Sequence, residues 1–142
     1  MKLDTMDPLH DARYALELDL RYRVLRAPLG MGRHQVGFDG ELEALHVIAE
    51  GGEPSALIGC VLFDFRSGRL RAMAVEPAVQ RKGVGVCLVR RLETEVRARG
   101  VERIALHARD TAVGFYEKLG YSVCGEPFVE VGVAHHSMVK TL

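Results

Sequence analysis

The chain has 142 residues, 48% of them hydrophobic and 27% charged, which suits one domain with its own core and excludes a disordered or fibrous protein. Its 19 Lys and Arg balance 19 Asp and Glu, so no bulk field favours nucleic acid or an anionic membrane, and partners must be recognised locally. The apolar runs are too short to span a membrane, Met1 to Asp7 lack the apolar core of a signal peptide, and Cys60, Cys87 and Cys124 are odd in number and widely spaced; these features lead us to expect a cytoplasmic protein with reduced thiols and no metal site.

From Asp11 to Arg26, Tyr14, Leu18, Tyr22 and Leu25 recur at helical spacing, and Pro28, Gly30 and Gly32 end the pattern. Arg26, Arg33 and His34 make the following segment basic, which fits either a solvated loop or a wall for an anionic ligand. Ala44–Glu50 reads as a strand, Gly51 to Pro54 as a turn, and Ala56–Phe65 as a strand apolar enough to be buried on both faces. Arg66 to Arg69 connect it, as a hairpin, to a strand over Leu70–Val75. A helix carrying Val84, Leu88, Leu92 and Val96 on one stripe follows, with Glu93–Arg97 and Glu95–Arg99 as outward pairs and Gly100 as its stop. Val101–His107 is predicted as a strand, Asp110 or Thr111 as the cap of a short helix ending at Leu119-Gly120, and Tyr121–Cys124 and His135–Val139 as closing strands. No linker divides residues 1–142, so a single domain is expected: a mixed sheet with helices on both faces, and a ligand cleft beyond Val75 and His107 at the strand ends.

The run Met73 to Val86 passes from a strand through Pro77 into a helix start punctuated by Gly83 and Gly85. Free N–H groups of a first helical turn, with Arg81 and Lys82 beside them, suit a phosphate. The Walker loop is excluded because Val86 and Cys87 stand where a Lys and a hydroxyl residue are needed, and the dinucleotide fingerprint because Leu88 replaces its third glycine. What remains, Gln80-x-x-Gly83-x-Gly85 after a strand and a Pro turn, resembles the coenzyme A pyrophosphate loop of the GNAT superfamily of N-acetyltransferases. Ala108 to Tyr121, with Phe115-Tyr116, Lys118 and Gly120-Tyr121, is similar to a second GNAT segment.

The resemblance implies a GNAT fold, an α/β domain whose mostly antiparallel sheet splays into a V, and the use of acetyl-CoA to acetylate an amine directly, without metal. By position it assigns the pantetheine arm to Met73 and Val75 and the pyrophosphate to Gln80, Arg81, Lys82, Gly83, Val84, Gly85 and Val86, with Asp110 and Phe115 beside them. Asp110 stands where relatives often have asparagine, so helix capping is its other reading. Tyr116 takes the place of the acid that protonates the departing thiolate, or is a core aromatic. The proton acceptor stays open between Glu76, which equally fits a turn, and His107, which equally fits a hydrogen-bonded strand. Phe128 to Met138 is similar to the ending of the ElaA-like branch, which would bring Glu130 and His135 to the acceptor side of the cleft from the loop before the last strand; a surface loop carboxylate and an edge-strand histidine are their ordinary readings. The rival function is a non-catalytic acyl-CoA sensor on the same fold, and exposed edges after Tyr121 leave room for a homodimer.

Overall fold

The computed structural model describes residues 1–142. Its strands are β1 (Lys2–Met6), β2 (Leu45–Gly51), β3 (Ala56–Asp64), β4 (Arg69–Val75), β5 (Arg103–Arg109), β6 (Ser122–Val123), β7 (Phe128–Glu130) and β8 (Val133–Thr141). They form one sheet in the order β1-β2-β3-β4-β5-β8-β6, with β7 also paired to β8. Helix α1 (Arg13–Arg21) covers one face, while α2 (Val84–Ala98) and α3 (Val113–Lys118) cover the other. The apolar character of β3 follows from this sandwich: Val61 and Phe63 pack with Leu88 and Leu92 of α2, and Cys60 packs with Leu20 of α1. Leu88, Leu92 and Val96 are fully buried, each contributing on the order of 1.5–3 kcal/mol of transfer free energy. No helix is long and apolar enough to cross a membrane.

Every neighbouring pair of strands is antiparallel except β4 and β5, which are parallel and matched only at Arg69 and Ala105. Beyond that point they diverge toward Val75 and Arg109. A bulge in β4 accompanies the divergence: Leu62 faces Arg71 and Cys60 faces Ala74, so Ala72 and Met73 share the space opposite Val61. Ala72 adopts φ 55° there, a conformation that costs a residue with a Cβ.

The first helix differs from its sequence reading. The α-helix ends at Arg21, a π turn carries the chain over Tyr22–Arg26, and a 3₁₀ turn containing Pro28 follows. Its buried residues are Glu17, Leu20 and Arg21, while Tyr14, Leu18, Tyr22 and Leu25 are half-buried. The reason is a buried ionic cluster. Arg21 donates to Glu41 through both terminal nitrogens, at 2.7 and 2.9 Å, to Glu17 at 3.3 Å and to the Val36 carbonyl at 3.0 Å. His46 donates through Nδ1 to Glu17 and through Nε2 to the Glu41 carbonyl, and Tyr14 donates to Glu41. Because both ring nitrogens face acceptors, His46 is cationic, and two cations balance two carboxylates.

Three other expectations are corrected. Glu93 points inward, where Tyr121 donates to it at 2.8 Å and Lys140 at 2.9 Å, while Glu95 pairs with Arg91 instead of Arg99. Asp110 does not cap α3: it lies within a 3₁₀ turn and accepts from His136 at 2.9 Å. Glu130 belongs to the hairpin strand β7 and not to a loop.

Removing one member of a buried, balanced cluster strands its partners. Glu17→Leu is therefore expected to destabilise the fold by about 3–5 kcal/mol in urea unfolding. The cluster also sets a pH window. Burial would lower the pKa of His46, but Glu17 outweighs it and raises it; burial would raise that of Glu41, but Arg21 outweighs it and lowers it. The His46 contribution is complete below its unfolded pKa of about 6.5 and fades as pH rises through the elevated folded value. The Glu41 contribution is complete above about 4.3 and fades as pH falls through the depressed one. The stability that these two charges add to the native chain should thus be greatest between about pH 4.3 and 6.5, as read by urea unfolding across pH.

Candidate active site

Where β4 and β5 part, a cavity of about 380 Å³ opens against the π turn of the first helical segment. Arg69, Ala72 and Met73 line it from β4, His107 and Arg109 from β5, Glu130 and His135 from the last hairpin, and Tyr116 from α3. The hairpin turns through Val131 and Gly132, at φ 48° and 74°. A β-branched residue there is strained, and the turn it closes delivers Glu130 into the cavity.

The polar groups form one cluster. Glu130 Oε1 lies 3.0 Å from His107 Nδ1, and its Oε2 lies 3.7 Å from His135 Nε2. Arg69 Nη2 lies 2.8 Å from the same His107 Nδ1. One ring nitrogen cannot serve both neighbours: unprotonated it accepts from Arg69, and protonated it donates to Glu130. His135 Nδ1 is 2.7 Å from the Val133 carbonyl and must donate to it, which leaves Nε2 to face Glu130. Phe128 holds both rings, edge-on to His107 and stacked on His135. Burial would raise the pKa of Glu130, but His107, Arg69 and His135 outweigh it and hold the carboxyl below the usual range, so it is ionised. Tyr116 is buried apart from its cavity edge, and burial pushes its phenol upward, which keeps it protonated. No protein group accepts a hydrogen bond from its hydroxyl.

From Met73 the bulged strand leads to the turn and the start of α2. Gln80 Nε2 donates to the Val75 carbonyl at 2.9 Å, which pins the turn and occupies that carbonyl. Arg81 and Gly83 adopt φ 64° and 88°, and no backbone or side-chain acceptor takes the N–H groups of residues 81–86. Consecutive free N–H groups at the N-terminus of a 15-residue helix make an anion cradle. Arg81 and Lys82 are exposed beside it. Gly85 has a different reason to be glycine: a Cβ would lie 3.2 Å from the Phe115 ring, so Phe115 closes on the helix start.

The structure therefore gathers Tyr116, His107, Glu130, His135 and Met73 around one cavity and places residues 81–86 at the far end of β4. Glu76 stands outside that lining and is held by Arg23, which also binds Asp19. Asp110 is exposed and engaged by His136. The sequence reading passed over Phe128 and the cavity arginines Arg69 and Arg109, which carry no motif and meet only through the fold.

The sequence pattern of the Acetyltransferase (GNAT) domain matches residues 37–142. The N-acetyltransferase YitI of Bacillus subtilis, itself uncharacterized, is 31% identical over 75% of this chain and 68% of its own length. Two other Bacillus subtilis relatives are matched over only 50% and 51% of their length, so the chain spans about half of each. Among crystal structures, a protein from Lactobacillus plantarum superposes with a TM-score of 0.87 at 22% identity, over 99% of this chain and 97% of its own. An aminoglycoside 6'-N-acetyltransferase complexed with coenzyme A gives 0.79 at 22% identity over 99% and 97%. Escherichia coli ElaA gives 0.80 at 18% identity over 98% of both chains. The structural likenesses carry the fold, and the domain match with YitI carries the family: this chain belongs to the GNAT acetyltransferases.

Proposed function

We propose that the protein is an N-acetyltransferase that moves an acetyl group from acetyl-CoA directly to a primary amine. The observation that carries this reading is the placement of a protonated phenol and an ionised Glu130 beside His135 in one cavity, joined by β4 to a run of free N–H groups. The cradle at residues 81–86 suits the pyrophosphate, with Arg81 and Lys82 adding charge, and the bulge at Met73 leaves main-chain groups for the pantetheine arm. Bound there, acetyl-CoA supplies an activated acyl carbon and a thiolate leaving group.

The protein's own residues supply positioning and proton transfer. An alkylammonium of pKa about 10 has no lone pair at neutral pH, so an acceptor amine must lose a proton before it reacts. Glu130, ionised and half-exposed, attracts the ammonium, and the His135 Nε2 lone pair beside it receives the proton. His107 is a positioning residue that fixes one oxygen of Glu130. Tyr116 keeps its proton on a hydroxyl that faces the cavity, where a departing thiolate needs one. Glu76, paired with Arg23, steadies the turn in this reading. The aminoglycoside acceptor of the structural neighbour does not transfer to this chain, because a polycation would meet Arg26, Arg69 and Arg109 in the cavity wall.

His135→Gln and Tyr116→Phe are each expected to lower kcat about a hundredfold, with acetyl-CoA affinity by calorimetry unchanged. Unchanged turnover in either variant removes that residue from proton transfer. Tight acetyl-CoA binding without thiol release to any amine would identify a sensor instead. Gly85→Val should weaken acetyl-CoA binding by more than about tenfold, because the new side chain displaces Phe115 from the helix start.

A further inference from the structure

The cavity carries an excess of positive charge that the acyl-transfer chemistry does not use. Five arginines line it: Arg21, Arg26, Arg69, Arg71 and Arg109. Two are accounted for. Arg21 is neutralised by Glu41 and Glu17, and Arg71 stacks on the Phe38 ring at 3.9 Å with Asp64 at 3.6 Å. Arg26, Arg69 and Arg109 form no ion pair. Arg26 reaches only the Gln35 and Leu25 carbonyls, at 3.1 and 3.5 Å, and Arg109 only the Leu25 carbonyl, at 3.2 Å. Arg69 touches His107 alone, and its buried Nε has no partner. Burial and neighbouring cations disfavour the charged forms of Arg26 and Arg69, yet a guanidinium cannot shed its proton in a protein.

Half-buried cations without counter-charges are costly, and the cost falls when an anion enters between them. The one carboxylate that faces the same space is Glu130. The cavity thus has a cationic wall beside a single anionic group, a polarity that fits a molecule bearing both an anion and an ammonium.

Building on the acyl-transfer reading, we propose that the acceptor is an amine that also carries an anionic oxygen group, a carboxylate or a phosphate, held by Arg26, Arg69 and Arg109. Guanidinium forks match either group in geometry and charge. The ammonium end then lies toward Glu130 and His135.

The test uses matched amines: glycine, β-alanine and L-glutamate against their amides, and O-phosphoethanolamine against ethanolamine, with spermidine as a polycation. Each is assayed twice, by thermal shift at millimolar concentration and by thiol release with acetyl-CoA. We expect an anionic amine to raise the melting temperature where its neutral twin does not, and to show at least about tenfold higher kcat/KM, the effect of one charge-assisted hydrogen bond. The pair that responds distinguishes carboxylate from phosphate. Arg26→Gln and Arg69→Gln should each abolish the shift and the preference while leaving acetyl-CoA affinity and the unliganded melting temperature near those of the native chain. Neutral amines or spermidine binding and reacting as well as the anionic ones would overturn the proposal while leaving acyl transfer standing. An Arg26-dependent shift without thiol release would instead retain the anion site and remove the acyl-transfer reading. No shift from any anionic amine would overturn the proposal.

Discussion

The constraint on which the site depends is the failure of β4 and β5 to remain paired. Parallel neighbours in an otherwise antiparallel sheet, they share one matched position, Arg69 with Ala105, and then separate. Strands that part leave main-chain groups unpaired, which is tolerable only where a ligand or water can satisfy them. The bulge at Ala72 and Met73 serves the same end, turning the backbone of β4 out of its ladder with β3. Because α2 begins at the end of the turn that follows β4, the N-terminus of a 15-residue helix is fixed relative to the gap. The gap and the anion cradle are consequences of one divergence.

A second constraint builds the wall opposite the gap. The cluster of Arg21, Glu41, Glu17 and His46 fastens the first helix to β2 and to the segment around Val36. An apolar contact of equal area would hold these pieces without defining their register, whereas the fork of Arg21 onto Glu41 sets both position and angle. The chain just beyond Arg21 leaves the α-helical path in a π turn, a feature common at functional sites, and this turn presents the Leu25 carbonyl to Arg109. The acceptor side of the cavity is therefore anchored to the sheet by charge.

These physical causes explain what the sequence could and could not tell. Stretches whose partner is the local backbone were legible: the stripe Val84, Leu88, Leu92 and Val96 is buried as its spacing implied, and the glycine turn before it leaves free N–H groups as its motif implied. The first helix was misread because its buried face carries Glu17 and Arg21, residues that a hydrophobic pattern assigns to solvent. Glu93 was misplaced for the same reason, since its partner Lys140 lies in the last strand. Strand β1 escaped notice because Lys2, Asp4 and Thr5 dilute its pattern, and β7 because three residues hold no period at all. Glu130 and His135 were singled out through family likeness, whereas the meeting of His107 with Phe128 and with Arg69 depends on contacts between strands distant in sequence.

The arginine excess and the shared nitrogen of His107 are two aspects of one electrostatic balance. Nδ1 of His107 faces the Arg69 donor and the Glu130 acceptor together and can serve only one of them at a time. The guanidinium of Arg69 has five N–H groups, so it can contact His107 and still offer donors to an anion. Glu130 meets His107 through one oxygen, at 3.0 Å, and His135 through the other, at 3.7 Å, the side from which the proposed ammonium would be drawn. The group proposed to hold the acceptor's anion and the group proposed to receive its ammonium thus meet at a single ring.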